Sequence, residues 1–211
     1  MTRTAPGVTV DREGTVTGNT YDKYGSTNPV VKRLMAHFHS TLSELFARAD
    51  PQSLLDVGCG EGVLTHQWAV RLRDRPVVGI DLDDPHLHAQ WEGRRAPNLD
   101  YRVMKAEALP FADGEFDCAT AIEVLEHVPD AAHTVAEMAR VAQRHLLVSV
   151  PREPMWRMLN MARGAYLKEL GNTPGHVNHW SKRSFVELLS RHGTVVEARS
   201  PFPWTMLLVR L

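Results

Sequence analysis

Cysteine is almost missing from this chain, with two in 211 residues, so no disulfide framework carries the fold. Cys59 and Cys118 fall in expected strand or turn positions and read as packing residues of a reducing compartment. No apolar run is long enough to cross a bilayer, and the opening Met1 to Gly7 carries no signal-peptide core; both features predict a cytoplasmic chain. Net charge is missing too, at −1 with a pI of about 6.8, and no RNA-binding module is added, which argues against a nucleic-acid partner. The near-neutrality hides an asymmetry. Residues 1–139 sum to −8 and residues 140–211 to +7. A basic C-terminal third can steer an anionic small-molecule substrate toward a site, although solvated helix faces give the same imbalance. With 43% hydrophobic residues, the length suits one domain with a sizeable core.

What is present is organised around Ser53 to Leu64. Leu54, Leu55 and Val57 form a short apolar run after Pro51, as a central parallel strand covered on both faces requires. Gly58, Gly60 and Gly62 follow. They let the backbone turn tightly and approach a ligand with no side chain in the way, and the helix that comes next offers unpaired N–H groups to an anionic group. The stretch is a cofactor cradle. Its G-x-G-x-G spacing is one residue short of the dinucleotide pattern, which disfavours a nicotinamide dehydrogenase. Asp56 stands at the end of this strand, and a second apolar strand, Pro76 to Ile80, ends in Asp81 and Leu82, where an acid suits a pair of ribose hydroxyls. Taken singly, Asp56 is a turn cap, Cys59 a small core residue and Leu82 ordinary packing.

Taken in order, residues 1–19 read as a flexible arm or marginal strand and residues 20–211 as one domain. A helix over Pro29 to Ala49, with Val30, Leu34, Phe38, Leu42, Leu45 and Phe46 at helical spacing, packs outside the fold. From Glu61 to Arg73 runs a crossover helix, then the second strand, a helix from Pro85 to Gly93 and a strand from Leu99 to Val103. Phe116 to Ile122 and Arg144 to Val150 are the next strands, joined by a helix over Ala131 to Val141. Strict alternation predicts an α/β fold with a parallel sheet and a ligand crevice at the carboxyl ends of its strands. Phe185, Leu188 and Leu189 mark a later helix, and Val195–Val196 and Thr205 to Val209 two more strands. Between them, Pro151 to Trp180 breaks the alternation. Trp156, Leu159, Ala162, Tyr166, Leu167 and Leu170 suggest one amphipathic helix there, before a loop at Gly171 to Gly175.

These blocks, together with Ala106 to Phe111 and Glu115 to Val128 in the same order, resemble the class I S-adenosylmethionine (SAM) dependent methyltransferases. The likeness is strongest to the small-molecule group that includes quinone-biosynthesis enzymes, and it covers about Tyr21 to Val150. It implies a Rossmann-like, seven-stranded, mostly parallel sheet with helices on both faces, the last strand antiparallel beside the fifth, and a lid insertion over about residues 151–180. It also implies that Gly58, Cys59 and Gly60, with Asp56 beside them, line the methionine part of SAM. Asp81 then holds the ribose, Leu82 packs on the adenine, and Glu123 sits beside the cofactor. Tyr21 or Tyr24 would close over the methionine end. Ala106 and Glu107 fall in the adenine-edge loop, where many relatives read Gly-Asp-Ala-Glu and this chain reads Met104-Lys105-Ala106-Glu107. Lys105 replaces the usual carboxylate, leaving the adenine contact to Glu107 or a backbone carbonyl.

Methyl transfer from a sulfonium is an in-line displacement, so the protein must hold the acceptor near the methyl group and remove its proton. Two clusters qualify: Glu123-x-x-Glu126-His127 and His176-x-x-His179. His179 is the first candidate for the base, with His176 and His127 behind it. On a helical turn Glu123, Glu126 and His127 would share one face. Joined to His176 and His179, they would suit Mg²⁺ or Mn²⁺, an arrangement similar to the metal site of enzymes that methylate the terminal ribose of small RNAs. The same letters occur in metal-free relatives. The expectation is SAM-dependent methylation of a small organic acceptor, on oxygen before nitrogen or carbon. A metal-dependent RNA ribose 2′-O-methyltransferase and a SAM-binding protein without methyl transfer are the alternatives. The lid's aromatics and methionines, with Arg152, Arg157, Arg163 and Lys168, also suit a homodimer contact or a membrane-surface face.

Overall fold

The computed structural model describes residues 9–10, 16–17 and 28–211. The expected arm lies largely outside them; within it, β1 (Thr9–Val10) and β2 (Val16–Thr17) pair antiparallel, Thr9 opposite Thr17. Tyr21 and Tyr24, expected near the methionine end, lie outside the described residues.

The body is one sheet of seven strands: β3 (Leu54–Val57), β4 (Val77–Asp81), β5 (Leu99–Val103), β6 (Phe116–Ile122), β7 (Ala142–Pro151), β8 (Thr194–Arg199) and β9 (Trp204–Arg210). Their order is β5-β4-β3-β6-β7-β9-β8. The first five run parallel, whereas β9 is antiparallel both to β7 and to β8. All four residues of β3 are buried, as a strand with helices on both sides demands. Successive residues then face opposite layers. Leu55 and Val57 join the core under α4 (Ala131–Val141) and α6 (Lys182–Leu189). Leu54 joins the core under α1 (Pro29–Ala49) and α2 (Val63–Leu72).

Local chemistry sets the helix ends. The Asn28 side chain accepts from Val30 N at 2.9 Å and Pro29 opens α1, while the Asp130 carboxylate accepts from His133 N at 2.9 Å to start α4. α3 (Pro85–Glu92) begins the same way, behind Asp84. Far from packing outside the fold, α1 buries Phe38, Leu42, Leu45 and Phe46 against one face of the sheet. Its first turns border the cleft described below. Among the described residues no helix is long and apolar enough to cross a membrane.

Residues 151–180 depart from the single helix that the spacing predicts. α5 covers only Met155–Ala162. Gly164 at φ +74 and Tyr166 at φ +54 then turn the chain, and Ala165 N reaches back to Asn160 O at 2.8 Å. Apolar residues at helical spacing cannot extend a helix through left-handed backbone.

Candidate active site

The strand order reverses direction between β3 and β6, and a crevice opens at the carboxyl ends of the strands, where such sheets bind ligands. The cleft encloses about 640 Å³, within the usual range for a small-molecule site. Its two halves have different chemistry.

The first half is the glycine turn. Gly58 N and Cys59 N both donate to Ile80 O at 2.9 Å, tying the turn to β4. Gly60 N donates to Asp81 Oδ2 at 2.6 Å, and Leu82 N to Asp81 Oδ1 at 2.8 Å, so one carboxylate fixes both edges of the cradle. Burial raises the Asp81 carboxyl above its ordinary range, an effect opposed by those two N–H groups. A Cβ on Gly58, at φ +70, would lie 2.5 Å from Val124 Cγ2, whereas a Cβ on Gly60 would meet nothing within 4 Å. The first glycine is therefore needed for packing. The second faces open cleft, the space a bound ligand would fill. Trp91 supports this loop from behind, its Nε1 donating to Gly60 O at 2.8 Å and its ring stacked on Tyr101 at 5.1 Å.

Asp56 lies on the floor of the cradle, 3% exposed. Its oxygens accept from Thr65 Oγ1 at 2.6 Å and Thr120 Oγ1 at 2.7 Å. Burial pushes its carboxyl up to about 6, even though the two threonine hydroxyls pull it down. Burial also raises the Cys59 thiol, with Asp56 adding to the effect, so this sulfur is a neutral packing group. Both cysteines are free. Leu82, Lys105, Ala106 and Glu107 border the same half of the cleft.

The second half is enclosed by α1, α5 and the loop at residues 123–129. The expected helical turn does not form there. Glu123 adopts φ +62, and His127 N closes a turn onto Val124 O at 2.8 Å. That geometry separates the acids. Glu123 accepts from Ser149 Oγ at 3.0 Å and Trp204 Nε1 at 2.6 Å. Glu126, 2% exposed, lies instead with His127 and His176, their candidate ligand atoms all within 4.8 Å of one another. His127 Nδ1 is 3.0 Å from Gly175 O. A carbonyl can only accept, so the proton of the neutral ring sits on Nδ1 and Nε2 carries the lone pair, the atom that takes a proton or a cation. The His127 and His176 rings meet edge to face at 4.8 Å. Hydrogen bonds between the two loops hold this pairing: Val177 N and Asn178 N donate to Glu126 O, and the Asn178 side-chain Nδ2 donates to Leu125 O and Val128 O.

His179 falls elsewhere. It is exposed, its Nε2 is 2.8 Å from Asn172 Oδ1, and it does not border the cleft. Between the two histidines Val177 N, Asn178 N and the Asn178 side chain are bonded to the 125–128 loop, which keeps His176 inside and leaves His179 beyond the anchor. Sequence reasoning also missed Thr65, Thr120 and Trp204, which position the acids. No local motif marks them, because each reaches its carboxylate from a separate element. The amide of Asn160 with Thr173, and the rings of Phe38, Trp156 and Trp204, complete the second half.

Fold and cleft together define the class: a doubly wound α/β domain with a glycine cradle on β3 and a hydroxyl- and imidazole-bearing chamber opposite it. A family model described as a methyltransferase domain matches residues 55–146. A ubiquinone biosynthesis O-methyltransferase from Methylococcus capsulatus is 34% identical over 157 residues, covering 66% of this chain and 65% of that protein. Another of that name from Hahella chejuensis is 44% identical over 93 residues, 43% of this chain and 38% of that protein. The chain therefore spans less than two thirds of the length of these relatives. The magnesium protoporphyrin IX methyltransferase of Synechocystis, solved with bound SAH, shares the fold at a TM-score of 0.63 and 17% identity, over 88% of this chain and 89% of that one. Residues 55–146 are thus similar to a methyltransferase domain, and the chain shares the fold of that methyltransferase.

Proposed function

We propose that this chain transfers a methyl group from SAM to a hydroxyl of a small organic acceptor. The observation that carries the reading is the joining, in one cleft, of a glycine cradle fixed by Asp81 to a chamber bordered by the His127 imidazole, whose tautomer Gly175 O sets. The cradle suits the cofactor: Gly60 leaves open space, and Asp81 offers a half-buried carboxylate where ribose hydroxyls would be bound. Bound there, SAM supplies an electrophilic methyl group on a sulfonium.

The chain's own groups do the rest. Asp81 and the backbone of Gly58 to Gly60 orient the ligand, and Asp56 puts a carboxylate under its amino-acid end. Val30, Leu34, Met35 and Leu159 make the acceptor chamber apolar. This supports an acceptor of the kind the relatives' ubiquinone-pathway name implies. His127 takes the hydroxyl proton on Nε2 while Gly175 O holds Nδ1–H, and His176 packs against its ring. Proton removal by a positioned imidazole contributes about 10²–10⁴ in rate.

A second reading has one observation behind it. Glu126, His127 and His176 stand close enough to hold a divalent cation, and Nε2 would then be a ligand and not a base. The test of both is incubation with methyl-labelled SAM and a panel of small phenols, with and without chelator. Labelled product that survives chelation supports the base. Activity lost to chelator and restored by Mg²⁺ supports the cation. Absence of both labelled product and SAH with every acceptor removes methyl transfer itself.

A further inference from the structure

One indole links the two halves of the cleft. Glu123 follows β6 directly and holds a left-handed backbone, φ +62, that non-glycine residues adopt only when their surroundings enforce it. Its side chain is fixed by donors from two other strands: Ser149 of β7 at 3.0 Å and Trp204 of β9 at 2.6 Å. Those strands are paired antiparallel, Ser149 opposite Met206 and Pro151 opposite Trp204, so both donors belong to one rigid ladder. The Trp204 ring is 4% exposed. It lies 4.8 Å from Phe38 of α1 at 66° and 5.8 Å from Trp156 of α5 at 53°. Trp156 carries the contact onward, its Nε1 donating to Thr173 Oγ1 at 2.9 Å and its ring 6.3 Å from His176. Glu123 and all three rings border the cleft.

We propose that Trp204 is a positioning residue for the reaction. Its N–H fixes the Glu123 carboxylate beside the cradle, and its ring, with Phe38 and Trp156, forms the wall that seats a planar acceptor. A residue needed only for packing at this place could be Phe. A short, charge-assisted bond from the indole N–H to a carboxylate is a more specific demand. Trp204 and Phe38 are 4% and 3% exposed, so the half-buried Trp156 offers a ligand the most ring surface of the three.

The proposal rests on the methyl-transfer reading, and the experiment separates the two. The indole N–H resonances of ¹⁵N-labelled protein are recorded, that of Trp204 being assigned by its absence in Trp204→Phe. In Glu123→Gln this resonance moves upfield, and in the wild type it shifts when SAH is added. An unmoved resonance in both cases overturns the link, whether or not the protein turns over any acceptor. In kinetics with a phenolic acceptor, Trp204→Phe lowers kcat about tenfold with acceptor KM within about threefold. Trp204→Leu raises KM about tenfold as well. The Trp204→Phe/Glu123→Gln double variant falls no further than the worse single one, because the pair acts as one unit. Losses that multiply, or wild-type kcat in Trp204→Phe, overturn the proposal. If Trp204→Phe fails to fold, the Trp204 resonance is assigned by elimination, from Phe variants of Trp68, Trp91, Trp156 and Trp180, and Glu123→Gln then decides through it.

Discussion

Asp56 makes a sharp case for how the site and the stability of the fold are opposed. Replace it with asparagine, which has the same shape and no charge. In the wild type, burial moves the carboxyl from 3.8 to about 6, so between those values the folded state binds more protons than the unfolded one. The stability that comes with the raised value is complete below pH 3.8 and is lost as pH rises through about 6. Two pK units correspond to about 3 kcal/mol. The Asp56→Asn variant would keep the local hydrogen bonds. Thr120 Oγ1 lies 2.7 Å from Asp56 Oδ1 and 3.3 Å from Leu55 O, so its hydroxyl can turn its proton to Leu55 O and accept from the new amide. Thermal unfolding of Asp56→Asn and wild type is compared from pH 4 to 8. The two should coincide near pH 4. At pH 8 the variant should be more stable by about 3 kcal/mol, or roughly 6–12 °C in Tm for a chain of this size. A difference that stays flat with pH, or a less stable variant at pH 8, would refute the account of Asp56 as a buried charge kept for function.

Asp81→Ala removes the acceptor for Gly60 N and Leu82 N and, on the proposed reading, for the ribose, so SAH affinity measured by calorimetry should fall about 100-fold; affinity within threefold would take Asp81 out of the cofactor's contacts. Gly58→Ala drives a methyl into Val124 and should destabilise by roughly 2–4 kcal/mol. Gly60→Ala has room and should cost about 1 kcal/mol in urea unfolding while still weakening SAH binding; equal stability losses would contradict the packing difference. His127→Ala should lower turnover about 10²–10³ with SAH affinity nearly intact. His179→Ala should change turnover less than about twofold, since the ring lies outside the cleft. The reverse ranking would return the base to His179.

The sequence alone determined the sheet and the cradle, because both are written in local patterns. The buried run Leu54 to Val57, the glycines after it and Asp81 two elements later need only chain order and periodicity to be read. The helices over about Pro29 to Ala49 and Ala131 to Val141 were legible from apolar spacing and the proline at the first start, and the structure adds Asn28 and Asp130 as their caps. The rule that open α/β sheets form their crevice at the carboxyl ends of the strands then indicates the edge. Tertiary structure decided the second half of the cleft. Helical spacing placed Glu123, Glu126 and His127 on one face, but a left-handed Glu123 sends its carboxylate to Ser149 and Trp204 while Glu126 and His127 turn to His176. The spacing of His176 and His179 could not show that the Asn178 clamp brings one histidine inward and leaves the other exposed. Trp204 lies 81 residues from Glu123 in the chain. Pairings of that kind depend on strand register and on backbone conformation at single residues, and neither has a local signature.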